Sequence, residues 1–222
     1  MARIALIHAT PAAVEPIQAA FAQSWPEPDL VNLLDDSLSR DRALTPALTD
    51  GIYRRFDALG GYSTAIGADG ILFTCSAFGP AIERVARAVT IPVLKPNEAM
   101  FGEAIAIGGR IGMLATFEPS ITSMAAEFEA DAAKAGAAVT LESVFVPDAM
   151  AALVAGKRER HDALVAEAAT ALAHCSAIML AQFSMAPAAD GVRRRLTGIP
   201  VLTSPDAAVA AMKSRIASRP AR

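Results

Sequence analysis

Short apolar and β-branched runs alternate along this chain with Ala-rich stretches of helical length, the pattern of parallel strands joined by crossover helices. The pattern predicts strands over Arg3 to Ile7, Leu30 to Leu34, Gly70 to Phe73 and Ile91 to Leu94, with helices over Ala12 to Ala22, Thr45 to Ile66 and Phe78 to Ala88. A second set follows, with strands over Arg110 to Leu114, Ala138 to Val144, Ala177 to Leu180 and Ile199 to Leu202, and helices over Pro119 to Ala135, Arg158 to Ala173 and Ala186 to Leu196. The class is α/β.

The two sets are related residue by residue. RIALIHAT from Arg3 matches RIGMLATF from Arg110, 107 positions later, and ILFTCSAFGPAIERV around Cys75 matches IMLAQFSMAPAADGV around Gln182 at the same offset. IPVL recurs at Ile91 and Ile199, within one residue of that register. Such a repeat implies two similar lobes related by a pseudo-twofold, each with a roughly four-stranded parallel sheet flanked by helices. The first lobe is expected over 1–97 plus 206–222 and the second over 98–205, with a switch near Pro96 to Gly102 and a last helix, Asp206 to Ser218, crossing back to the first. Ligands of open parallel sheets bind beyond the carboxyl ends of the strands, so facing lobes would surround a shared cleft with Cys75 opposite Gln182.

Composition narrows the partners. The chain has 222 residues, 53% hydrophobic, with a net charge of -3, no apolar run near membrane-spanning length and no basic field for nucleic acid or an anionic membrane. MARIALIHATP enters a strand-like run too short, and too soon followed by proline, for a secretory signal, which makes the cytoplasm the expected compartment. Cys75 and Cys175 are expected as free thiols. Homo-oligomers are common enough to favour a homodimer, although no residue identifies an interface.

Candidate chemistry centres on Cys75. It follows the strand ILF and precedes a turn into Pro80 and the helix AIERVARAV, where helix-terminal N–H groups would favour thiolate. Thr74 and Ser76 add hydroxyls that, with the turn amides, could bind a carboxylate or the enediolate formed from it. The alternative is a small buried residue in a tight turn. In the mirrored turn Gln182, Phe183 and Ser184 replace Cys75, Ser76 and Ala77. An amide hydrogen-bonds but exchanges no proton near neutrality, so Gln182 reads as a substrate-orienting group, an oxyanion donor, or a turn residue bonding its own backbone. Phe183 reads as packing or a steric wall.

The first strands end in His8, Ala9 and Thr10 in one half and Ala115, Thr116 and Phe117 in the other. His8 breaks the symmetry, and it is a candidate acid, base or imidazolium partner of Cys75, or a hydrogen-bonded turn residue. Thr10 lies on the same rim. Thr116 and Ser120 read equally as substrate-carboxylate ligands and as helix caps.

The TCSAFG and LAQFSMAP turns, within the whole-chain repeat, resemble the aspartate/glutamate racemase superfamily, which includes amino-acid and hydantoin racemases, maleate isomerase and arylmalonate decarboxylase. The resemblance implies two thiols flanking the substrate α-carbon without any cofactor. This chain matches the first thiol and departs at the second, where Gln182 stands. A cofactor-independent isomerase or racemase acting on a small carboxylate, with Cys75 as acid, base or nucleophile, is the expectation that follows. A decarboxylase and a non-catalytic binding protein are its alternatives.

The other polar residues carry less. Asp35 and Asp36 read as a solvated loop or helix cap, lacking companions at metal-ligand spacing, and no metal is expected. Lys95 could attract an anion, and Glu98 suits a helix N-terminus. Cys175, His161, His174 and Arg193 to Arg195 read as structural or solvated, and Gly108–Gly109 precedes a strand rather than following one, so no nucleotide fingerprint is present. Substrate selection would rest on how Phe78, Phe117 and Phe183 shape a pocket.

Overall fold

The computed structural model describes residues 1–45 and 47–218. The expected helix from Thr45 runs over Pro46, and the expected first lobe runs to 222. Positions 46 and 219–222 lie outside the described residues. The chain divides into two compact units, Met1–Glu98 with the segment from Ala208, and Ala99–Ala207.

In the first unit β1 (Arg3–His8), α1 (Val14–Ser24), β2 (Asp29–Leu34), α2 (Ser37–Leu44), α3 (Asp50–Ala65), β3 (Gly70–Phe73), α4 (Gly79–Ala88) and β4 (Val93–Leu94) build a parallel sheet of order β2-β1-β3-β4. The chain starts in β1, steps outward to β2 and crosses back to β3. The direction therefore reverses between β1 and β3, whose carboxyl ends carry His8 and Thr74–Cys75. The helix expected from Thr45 starts instead at Asp50, and a separate helix that was not expected, α2, precedes it. Thr45 is extended, as the residue before a proline prefers, and the Thr49 side chain accepts the Ile52 N–H to start α3 afresh.

The second unit contains α5 (Glu98–Ile107), β5 (Gly109–Ala115), α6 (Pro119–Ala135), β6 (Val139–Phe145), α7 (Ala149–Val154), α8 (Arg158–Ala168), β7 (Ala177–Leu180), α9 (Ala189–Arg195) and β8 (Val201–Thr203), with α5 starting at the unit boundary. Its sheet order is β6-β5-β7-β8, all parallel. α5 occupies the expected switch region, burying Met100, Phe101 and Ala104. Gly136, at φ 64°, ends α6 in the left-handed conformation that glycine adopts without penalty. α10 (Ser204–Ala217) follows β8, and in the first unit its Met212 Sδ lies 2.6 Å from where a Cβ on Gly70 would sit.

Equivalent backbone bonds recur in the two units. Asp69 N–H donates to the Arg3 carbonyl and Ser176 N–H to that of Arg110; Thr74 N–H donates to Ile7 at 3.0 Å and Ala181 N–H to Leu114 at 2.9 Å. Two-residue alternation divides each strand between two apolar layers. Ile111, Met113, Ala115, Ala177, Met179 and Ala181 pack with Phe101 and Phe128 on one face, while Leu114, Ile178 and Leu180 pack with Val165, Leu172 and Val192 on the other.

In the first unit Phe56 of α3 is buried, with its ring 5.2 Å from Phe73 and 5.0 Å from Phe78, the residues on either side of the Cys75 turn. Phe56→Ala is expected to cost about 3–5 kcal/mol, from lost burial and an unfilled cavity, as read by urea unfolding.

Candidate functional site

Cys75 has extended backbone, φ -129° and ψ 122°, and leads into a 3₁₀ turn, Ser76–Phe78, before α4 begins at Gly79. The residue is half-buried and packs against the Phe56 core, while Thr74 immediately before it is buried. Thr74 Oγ lies 2.9 Å from His8 Nδ1 and 3.3 Å from the Ile7 carbonyl oxygen. His8 is fully buried, and its other ring nitrogen, Nε2, lies 3.0 Å from Asn32 Oδ1. The expected imidazolium–thiolate pair is not made, because both ring nitrogens engage Thr74 and Asn32. Burial lowers the His8 pKa against the opposing effect of the Asn32 bond, which favours neutral imidazole.

Burial also raises the Cys75 pKa, opposed by the Ala77 N–H on the sulfur and by the charge of Arg42. This corrects the expectation of a resting thiolate. The turn and its cation do not outweigh the desolvation of a sulfur packed against the core, and α4 begins four residues too late to place its first turn directly at Cys75. His8 and Cys75 line a cavity of about 10 Å³ with Ile7, Leu38, Phe56 and Phe78, enough for one water.

Arg42 is the feature that sequence reading missed. It lies on α2, where its Nε donates to the Ala77 carbonyl at 3.2 Å and its Nη1 to that of Thr45 at 2.6 Å. α2 is held over the turn by Ser39, which donates to the Ala9 carbonyl at 2.6 Å. Asp35 accepts the hydroxyl of Ser37 at 2.7 Å and Arg55 Nε at 2.9 Å, while Arg55 also reaches Asp41. Asp35, which also accepts the Ser37 N–H at 3.2 Å, thus anchors α2, whereas Asp36 at the N-cap position makes no side-chain capping bond. In the sequence Arg42 was one more charge in SLSRDRAL; its signal was proximity to the Asp35–Asp36 loop that follows β2.

The second unit arranges the equivalent turn differently. Gln182 is extended like Cys75, at φ -112° and ψ 147°, and leads into the 3₁₀ segment Phe183–Ala188. Its Oε1 accepts the N–H of Thr116 at 3.0 Å and the hydroxyl at 3.3 Å, while its Nε2 donates to Ser120 Oγ at 3.0 Å. Ser120 in turn donates to the Phe117 carbonyl at 2.7 Å. Gln182, Thr116 and Ser120 therefore satisfy one another and brace the turn into α6. Phe183 and Ser184 are buried, Phe78 belongs to the core, and Phe117 is exposed. Thr10 caps the 3₁₀ turn Pro11–Ala13, accepting the Ala12 N–H at 3.4 Å, and Ser76 is half-buried at the start of its turn. Lys95 pairs with Glu83 at 3.4 Å, and Glu98 accepts the Lys95 N–H at 3.0 Å.

A buried neutral His8 makes stability pH-dependent with a definite sign. Because its folded pKa lies below the unfolded value near 6.5, the unfolded chain gains the proton first as pH falls, so stability drops below about pH 6.5 until the folded pKa is passed. Urea midpoints measured across that range should fall less steeply in His8→Gln than in wild type, and identical slopes would rule out this contribution.

No protein-family model matches the chain, and no curated protein matches it by sequence. Solved structures do match. An aspartate racemase homologue from Pyrococcus horikoshii superimposes over 98% of this chain and 100% of its own, at 14% identity and a TM-score of 0.71. Allantoin racemase from Klebsiella pneumoniae does so over 98% and 88%, at 22% identity and a TM-score of 0.65. A cysteine-for-glycine variant of arylmalonate decarboxylase, in a sulfate-associated form, covers 99% and 97%, at 17% identity and a TM-score of 0.68. By architecture, two units each with a parallel four-stranded sheet, this chain has the fold shared by these racemases and by arylmalonate decarboxylase.

Proposed function

We propose that this protein is a cofactor-independent enzyme of the racemase and isomerase type, in which Cys75 exchanges a proton with the carbon beside a carboxylate, or an equivalent carbonyl group, of a small substrate. The observation that carries this reading is the difference between two equivalent turns. Gln182 spends its amide on Thr116 and Ser120, whereas the bond at the first turn is made by Thr74, which leaves the adjacent thiol outside that network. His8 and Thr74 position the turn. Arg42 and the Ala77 N–H supply the positive potential that a departing proton requires.

A thiol held protonated by burial is a proton donor before it is a base. In racemisation the substrate C–H bond breaks first, its proton passing to a Cys75 thiolate formed by loss of the S–H proton to water, while the electron pair enters the enediolate. In the donor step the S–H bond so formed breaks as a new C–H bond forms at that carbon, and Ala77 and Arg42 stabilise the thiolate on both sides of the exchange. Addition of Cys75 to a double bond would need thiolate at the start, which burial opposes.

Decarboxylation is the second reading, and the raised thiol pKa specifically favours it. There the C–C bond to the leaving carbon dioxide breaks, its electron pair enters the enediolate, and Cys75 protonates the carbon. One donor suffices, so the absence of an exchangeable proton on Gln182 costs nothing.

The test is incubation of the protein in deuterated water with aspartate, allantoin and arylmalonate, followed by NMR for deuterium at the reacting carbon and by assay of carbon dioxide release. Turnover of one of these is expected, with a loss of about 10²–10⁴-fold in Cys75→Ala. Turnover that survives Cys75→Ala contradicts the assignment. Binding of any of these compounds to wild type without turnover would make the protein a small-molecule binder instead.

A further inference from the structure

Beside the second sheet, a residue of β6 meets two from the turn before β7, bringing together three different donor groups from segments about 30 residues apart. Glu142 stands on β6, and His174 and Cys175 stand in the turn before β7. One carboxylate oxygen, one imidazole nitrogen and the thiol sulfur all lie within 4.8 Å of one another. β5 runs between β6 and β7, so the grouping must span a strand. Gly112 of β5 makes that possible. It pairs with Glu142 on one side and Ile178 on the other, and a Cβ there would come within 2.9 Å of Leu172 Cδ1. With no side chain on Gly112, the 3₁₀ turn Ala169–Leu172 settles close to the sheet and carries His174 and Cys175 toward Glu142. Ser176 N–H, bonded to the Arg110 carbonyl at 2.7 Å, fixes the end of that segment.

We propose that Glu142, His174 and Cys175 form a binding site for a divalent transition-metal ion, Zn²⁺ by the chemistry of its donors. A carboxylate, an imidazole and a thiolate together suit a borderline-soft ion and do not suit Mg²⁺ or Ca²⁺, which take oxygen ligands alone. Ligand atoms of a tetrahedral zinc stand about 3.3–3.8 Å apart, a spacing that small side-chain rotations reach from the present one. His174 Nε2 is 2.9 Å from Glu142 Oε2, so two of the donors already converge. The side chains of His174 and Glu142 are 46% and 40% exposed, which gives the ion a path in and leaves a fourth position for water, while Cys175 is buried in the core. Arg110 Nη1, 3.8 Å from Glu142 Oε2, is the competing cation, and the second carboxylate oxygen remains available to it. On binding, the Cys175 S–H bond is replaced by a sulfur–metal bond and the proton passes to water.

Anaerobic titration of the full chain with Co²⁺, followed by displacement with Zn²⁺, tests the site. One equivalent of Co²⁺ should give a thiolate-to-cobalt charge-transfer band that Zn²⁺ abolishes. Cys175→Ser should remove the band, His174→Ala and Glu142→Gln should each weaken binding by about tenfold or more, and Cys75→Ser should leave it intact. The absence of a band in wild type overturns the proposal. So does a band that persists in Cys175→Ser or is lost in Cys75→Ser. Glu142→Gln, on a partly exposed side chain, keeps the test decisive even if Cys175→Ser folds poorly, because unchanged affinity in that variant also counts against the site.

Discussion

What the site turns present depends on one hydrogen bond across the carboxyl ends of two neighbouring strands. Both units make such a bond, and in both it joins residues 66 positions apart, but at different steps along the strands. In the first unit His8 ties to Thr74, the residue before the turn. In the second Thr116 ties to Gln182, the first residue of the turn itself. A bond of this kind adds only about 1 kcal/mol to stability. Its consequence for chemistry is larger. Closing the first sheet at Thr74 leaves Cys75 outside the tie, whereas closing the second at Gln182 occupies the equivalent position.

That one-residue displacement gives meaning to the asymmetry between His8 and Ala115 and between Cys75 and Gln182. His8 needs a polar partner in a buried place and takes Thr74 and Asn32. The second unit has Ala115 there, and its polar pair lies one step further out. The fold itself does not choose a reaction, since both a racemase and a decarboxylase share it. Under the function proposed above, the choice rests on what the thiol can do. Desolvation keeps it protonated, and Arg42 with the Ala77 N–H makes loss of that proton less costly. These conditions suit the proton-donor role proposed for Cys75.

The central strands were legible because β1, β3, β5 and β7 are short, apolar and bounded by polar turns, and the repeat repeated them. α5 was not legible. EAMFGEAIAI has apolar residues around most of its circumference and a glycine inside, so no polar face distinguished it from a connection. α2 was missed and α3 was extended too far toward the N-terminus, because the break at Thr45–Thr49 depends on local backbone conformation and a cap. At the site, the identities of Cys75, His8 and Gln182 were readable, and their bonding was not. Thr116 reads as a cap or a ligand from its spacing alone; only the fold shows its N–H and hydroxyl converging on Gln182. The thiolate expectation failed because it counted the N–H groups of the turn and could not count the desolvation beneath it. Arg42 escaped because a charge on a polar helix carries no mark of what that helix covers.

The pH dependence of Cys75 alkylation by iodoacetamide, measured in a Cys175→Ser background so that one thiol reports, bears most directly on this account. A buried donor should show its inflection above the ordinary thiol value of about 8.5, and Arg42→Gln should move it higher still by removing the nearby cation. An inflection at or below neutrality, or one that Arg42→Gln leaves in place, would contradict the account.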